Sequence, residues 1–160
     1  MLNDARDKDE SRAGVRRVMR ALYPSVTITE TNDDGSVAGE ATFMPEPEHQ
    51  GAPGWVHGGL SATVLDFVSA KLARAALSSR VATGTLDLRY RQPVVLDGGP
   101  FVVTGSTNAP LGRTVRVNTT ITDSAGRTLV EANSLFVAVE RPDVDGPNVD
   151  GPNVDGPERE

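Results

Sequence analysis

The chain has 160 residues, 38% of them hydrophobic, with 16 basic against 22 acidic side chains and a net charge of −6. That length suits one domain around one core. The absence of cysteine excludes a disulfide scaffold, a thiolate zinc site and a thiol nucleophile, and two histidines are too few for a His-rich metal centre.

The charge is uneven. Residues 141–160 hold six acids against two arginines, so −4 of the −6 lies in the tail and the body is nearly balanced. No basic stripe of the kind that binds nucleic acid is present. The first ten residues are charged, unlike a signal peptide, and no apolar run reaches membrane length. These features predict a soluble cytoplasmic protein with neither a nucleic-acid nor a membrane partner.

Taken in order, residues 1–8 read as a disordered N-terminus. Asp9–Leu22 fits an amphipathic helix: Val15, Val18, Met19 and Leu22 fall on one side, and Arg12, Arg16, Arg17 and Arg20 on the other. Tyr23-Pro24 ends it. Val26–Thr31 alternates at period two and is rich in β-branched residues, as a strand should be. Asn32–Gly35 is a hairpin turn, and Val37–Met44 the returning strand. Pro45–Gly54, with three prolines and two glycines, predicts an irregular loop that contains His49.

The stretch from Trp55 to Asp66 is the pivot of the chain. A Gly58-Gly59 pair leads into an apolar run, Leu60–Leu77, of helical length and without Gly or Pro. Its sole charge before Lys71 is Asp66, and an acid in so apolar a helix is costly unless paired or used. Strands follow to the end of the domain, over Val81–Val95, Phe101–Asn108, Thr114–Asp123 and Leu129–Val139. In the first of these, Leu86, Leu88 and Tyr90 share one face, and Thr85, Asp87, Arg89 and Arg91 the other. A Val-Asp-Gly-Pro-Asn repeat then fills the tail, which is too rich in Gly, Pro and Asp to bury a core and predicts disorder over 141–160.

An antiparallel sheet wrapped around one long helix is the simplest way to bury such a helix. The expectation is therefore an α+β domain over residues 9–140 with the hot-dog fold.

Further residues carry a family resemblance. Pro53-Gly54-Trp55-Val56-His57-Gly58-Gly59, with Asp66 nine positions after the His, resembles the His-Gly-Gly motif of the PaaI-like hot-dog acyl-CoA thioesterases. Tyr90-Arg91-Gln92-Pro93 is similar to the end of that family's post-helix strand, and Glu131–Phe136 to its last strand. The resemblance implies hydrolysis of an acyl-CoA thioester without a cofactor or metal, coenzyme A being part of the substrate. It assigns the oxyanion donor to the backbone N–H of Gly58, the base or nucleophile to Asp66, and a catalytic hydroxyl to Thr83. The chain departs from many members at the position six before the His. An Asn or Gln often stands there; here it is Gly51, with Gln50 one step earlier as the nearest amide.

The residue types suit this chemistry. Thioester hydrolysis needs a group that activates water or attacks, and donors for the developing oxyanion. N–H groups at a helix N-terminus are such donors, and Gly58 and Gly59 lack the Cβ that would keep a carbonyl away. His57 shapes the turn and is a candidate contact to the carbonyl. Arg89, Arg91 and Arg113 are candidates for the coenzyme A phosphates. Gly58 and Asp66 lie eight residues apart, about 12 Å along one helix, so both cannot reach one carbonyl carbon. Two copies with antiparallel helices would supply both, which predicts a homodimer with sites at its interface, alone or as a dimer of dimers. The competing reading is a non-catalytic hot-dog module that binds acyl groups or a partner; it has no use for Asp66.

Overall fold

The structure is a computed structural model that describes residues 20–140. The expected disorder at 1–8 and 141–160, and most of the first expected helix, lie outside the described residues. Residues 20–22 are helical, and Leu22 is buried.

Six strands follow: β1 (Val26–Thr31), β2 (Val37–Phe43), β3 (Val81–Tyr90), β4 (Phe101–Thr107), β5 (Thr114–Thr122) and β6 (Thr128–Ala138). They form one antiparallel sheet in the order β1-β2-β4-β5-β6-β3, and one long helix, α1 (Gly58–Leu77), lies across it. This is the expected hot-dog arrangement.

Alternation along the strands decides which side of the sheet holds the core. Val115, Val117, Thr119 and Ile121 of β5 are buried and face α1, as are Val130, Ala132, Ser134 and Phe136, their register partners on β6. Asn118, Asn133 and Glu131 point to the outer face. Along α1 the buried residues are Ser61, Val64, Leu65, Val68, Ser69, Leu72 and Ala73, a strict helical stripe. Burial of each large aliphatic among them contributes about 1.5–3 kcal/mol.

Two glycines let the helix sit close. Gly39 and Gly105 are paired across β2 and β4, and a Cβ on either would come within 2.9 Å or 2.6 Å of a Leu72 methyl. A buried hydrogen bond of 3.0 Å between Ser69 and Thr119 also ties α1 to β5.

Three local features differ from the sequence reading. The helix starts at Gly58 rather than Leu60, so the glycine pair forms its first turn. The strand expected over Val81–Val95 stops at Tyr90, because the N–H groups of Arg91 and Gln92 both turn to the Leu129 carbonyl (2.8 and 3.1 Å) and Pro93 has none to offer. The expected irregular loop holds a single 3₁₀ turn, Pro47–His49, and His49, expected as a loop residue, ends that turn fully buried.

No helix among the described residues is long and apolar enough to cross a membrane.

Candidate active site

The site is built on the entry to α1. His49 anchors that entry. Its Nδ1 accepts the Glu46 N–H at 2.8 Å, and its carbonyl accepts the His57 N–H at 2.8 Å. The chain between them folds back as a small loop, with Gly51 N–H bonded to the Trp55 carbonyl (2.8 Å) and Val56 N–H to the Val94 carbonyl (2.8 Å).

This loop explains the glycine at position 51. A Cβ there would lie 2.9 Å from the His57 Cα, so no side chain fits without moving backbone. Gln50 does not take over as a ready contact for substrate. Its side-chain oxygen accepts the Gly54 N–H at 2.9 Å and closes the turn.

His57 is the N-cap of α1. Its backbone is extended (φ −60, ψ 130), and its Nδ1 accepts the Gly59 N–H at 3.1 Å. An accepting Nδ1 places the ring proton on Nε2. The His57 carbonyl receives Leu60 N–H at 2.9 Å and Ser61 N–H at 3.3 Å. Those bonds orient the His57–Gly58 peptide so that the Gly58 N–H runs outward along the helix axis. No hydrogen bond among the described residues uses it, as expected at the first helical position.

Tyr90, the last residue of β3, completes this end. It was placed by the sequence on the face of Leu86 and Leu88, without a role. Its hydroxyl donates to the Gly58 carbonyl at 2.8 Å, and its ring lies 3.3 Å from where a Gly58 Cβ would be. Burial pushes the phenol above its ordinary value of 10.0, so it keeps its proton as a donor. Trp55, Val56, Gly58, Ser61 and Tyr90 line a cleft of about 270 Å³ at this helix terminus.

Two turns further along α1 stands Asp66, half-buried. The Thr83 hydroxyl donates to its Oδ1 at 3.0 Å. Strict alternation would place Thr83 beside Thr85 on the outer face. A bulge between Thr83 and Thr85 prevents this: Thr83 pairs with Phe136 and Thr85 with Leu135, the next residue back, so Gly84 is extra. Thr83 thereby turns to the inner face and meets α1.

The structure thus brings Asp66 to Thr83, and Gly58 and Gly59 to His57, as two groups where α1 meets the edge strand β3. It does not assemble the arginines around them. Arg91 is bound to Glu131 through Nε (3.1 Å) and a terminal nitrogen (3.0 Å). Arg89 sits opposite Glu131 on the outer face, and Arg113 precedes β5 at the other end of the sheet. A larger open hollow of about 720 Å³ lies between Arg89, Asn118 and Glu131 and contains none of the catalytic candidates. No cluster of three or more His, Cys, Asp or Glu among the described residues is arranged to hold a metal.

Comparison with known proteins adds to this geometry. No family model matches the chain. Acyl-coenzyme A thioesterase THEM4 of Mus musculus is 36% identical over 93 residues, which are 57% of this chain and 39% of that protein. A solved thioesterase superfamily protein is also 36% identical, with a TM-score of 0.56 over 71% of this chain and 56% of its own. A second, from Shewanella loihica, is 26% identical, with a TM-score of 0.60 over 73% of this chain and 91% of its own. The chain is thus similar in sequence and fold to thioesterase superfamily proteins. It spans less than two thirds of the length of the first two of these relatives.

Beside that likeness stand the His57 cap, the Tyr90 contact and the Thr83–Asp66 bond seen in this chain. Tyr90 was missed from the sequence although its signal was present: a hydroxyl-bearing aromatic on the strand face that packs against the helix.

Proposed function

We propose that the protein hydrolyses acyl-CoA thioesters in the manner of the PaaI-like enzymes, with water as co-substrate and no cofactor. Asp66 serves as general base or nucleophile. As base it takes a proton from water while the water oxygen bonds to the thioester carbon. The Gly58 N–H donates to the oxyanion, and collapse breaks the C–S bond, with the proton going to the departing thiolate of coenzyme A. Thr83 holds one carboxylate oxygen and leaves Oδ2 for water. The Thr83–Asp66 hydrogen bond carries this reading, because a module that only bound acyl groups would have no use for an oriented, half-buried carboxylate.

The working unit in this proposal is a homodimer with Gly58 from one subunit facing Asp66 of the other. Support comes from the helix geometry: both residues lie on α1, eight positions and about 12 Å apart. Further support comes from β3, which ends the sheet, pairs with β6 alone among the described strands, and carries both Thr83 and Tyr90. An unpaired edge is a surface on which a second sheet can continue.

The test is a panel of short, medium, long and aryl acyl-CoAs, with thiol release followed by a chromogenic thiol reagent. The wild type is expected to turn over at least one class, and Asp66→Asn to lose about 10²–10⁴-fold in rate. An Asp66→Asn variant at full rate would sink the mechanism. Binding of acyl-CoA by the wild type without thiol release would return the non-catalytic module.

A further inference from the structure

We propose that Tyr90 is a positioning residue for the Gly58 donor, its hydroxyl and the His57 imidazole gripping the Gly58–Gly59 peptide group from opposite ends. The inference rests on the hydrolase reading of this site and adds a residue to it.

A helix that starts with two glycines has a problem at its first turn. Neither residue has a Cβ to restrict its dihedrals, and the first N–H groups have no intrahelical partners. Left alone, such a turn frays, and a frayed turn aims its N–H groups nowhere in particular. An oxyanion donor must be aimed before the charge develops.

The hydrogen bonds answer this. The Gly58–Gly59 peptide is a rigid plane with one acceptor and one donor. Its carbonyl receives the Tyr90 hydroxyl at 2.8 Å, and its N–H is received by His57 Nδ1 at 3.1 Å. The preceding peptide has its carbonyl held by Leu60 and Ser61 N–H. Gly58 therefore lies between two fixed planes, and the direction of its N–H follows.

The rings also occupy the space that side chains at 58 and 59 would fill. A Cβ on Gly58 would meet the Tyr90 ring at 3.3 Å, and one on Gly59 would meet His57 Nδ1 at 3.1 Å. Tyr90 as a residue remains 53% exposed, so it borders the cleft without being part of the core. Its hydroxyl stays protonated at neutral pH, as the bond to a carbonyl requires.

The experiment compares the full chain with Tyr90→Phe, and uses Tyr23→Phe as control, since Tyr23 packs on Phe67 away from the glycines. Two readouts are taken: steady-state kinetics on whichever acyl-CoA the panel identifies, and amide hydrogen exchange by NMR. Tyr90→Phe is expected to lower kcat about tenfold with KM changed less than about twofold, a fraction of the ~10²–10³ lost with a donor itself. Exchange at Gly59 is expected to accelerate about tenfold, with core amides such as Val117 unchanged. Full kcat and unchanged Gly59 exchange in Tyr90→Phe would overturn the proposal. So would a loss of kcat with exchange raised across the whole sheet, which would mark a merely structural residue. A wild type inactive on every acyl-CoA would instead remove the hydrolase reading and the catalytic purpose of the grip with it. The Gly59 amide would still report whether the grip exists, so the two failures are distinct.

Discussion

The Thr83 hydroxyl donates a 3.0 Å hydrogen bond to Asp66 Oδ1, joining the edge strand β3 to the central helix. A carboxylate held at one oxygen has one rotamer and presents its other oxygen in a set direction. A hydrogen bond to a charged group is worth about 1.5–3 kcal/mol. Thr83→Val is therefore expected to slow hydrolysis about 10–100-fold, while Thr83→Ser, which keeps the donor, retains most of the rate. Equal rates in the two variants would separate Thr83 from the chemistry.

The proposed division of labour between two subunits has a direct test in mixed dimers. Gly58→Pro deletes the proposed donor N–H at the first helical position, where the proline backbone is accepted and its Cβ asks the half-exposed Tyr90 ring to give by a few tenths of an ångström. The preceding His57 already has the extended backbone that proline demands. This variant and Asp66→Asn are each expected to be impaired by about 10²-fold or more. Co-expressed with different tags and purified as a mixed dimer, they leave one site with both defects and the other with none. The mixed dimer should then regain about half of the wild-type rate. A mixed dimer as poor as its parents would place donor and carboxylate in one subunit.

Ser134 is a fault line in the core. It is fully buried on the inner face of β6, and its Oγ has no hydrogen-bond partner among the described residues. Such a hydroxyl costs about 1–3 kcal/mol, so Ser134→Ala is expected to stabilise the fold by about 1 kcal/mol and raise the thermal midpoint by a few degrees. Ser69→Ala should do the reverse, because it strands the buried Thr119 hydroxyl that Ser69 now satisfies. Urea titration of both variants checks the pair of signs.

Two turn carboxylates make stability depend on acid. Asp34 accepts from the hydroxyl of Ser36 (2.6 Å) and from its N–H (2.9 Å). Asp123 accepts from the Arg127 N–H (2.9 Å), its Nε (2.7 Å) and the Ala125 N–H (3.0 Å). The side-chain bond from Ser36 chiefly holds the Asp34 carboxyl below its usual value of 3.8, and the backbone bond from Arg127 does the same for Asp123. A lowered folded-state value means stability present above pH 3.8 and lost as pH falls through that lower value. The gap in thermal midpoint between wild type and Asp34→Asn or Asp123→Asn should be open near neutrality and narrow below about pH 4. A gap that stays constant with pH would contradict this.

Much of the fold could be read from the chain because its signals are local. Alternation at period two marks β5 as plainly as any contact does, and the apolar run Leu60–Leu77, of helical length and free of Gly and Pro, marks α1. The one acid in the apolar helix, nine residues after a histidine and glycine pair, was visible for the same reason. It needed only the chemical cost of burying a carboxylate.

What the sequence by itself determined was therefore the order and kind of the main elements between Val26 and Ala138, the alternating faces of the strands, and the separation of Gly58 from Asp66 along one helix. Tertiary structure alone decided where Thr83 points. Counted in twos from Leu86, Thr83 belongs on the outer face. The extra residue at Gly84 reverses it, because the bulge forms in the pairing of β3 with β6 and not in β3 alone. The same holds for Tyr90 meeting Gly58, for Gln50 folding onto its own turn, and for Arg91 being taken by Glu131. Each depends on a partner 4 to 40 residues away, whose nearness is set by the turn, the packing or the sheet register. Periodicity reports which way a side chain leaves the backbone; only the folded chain says what it finds there.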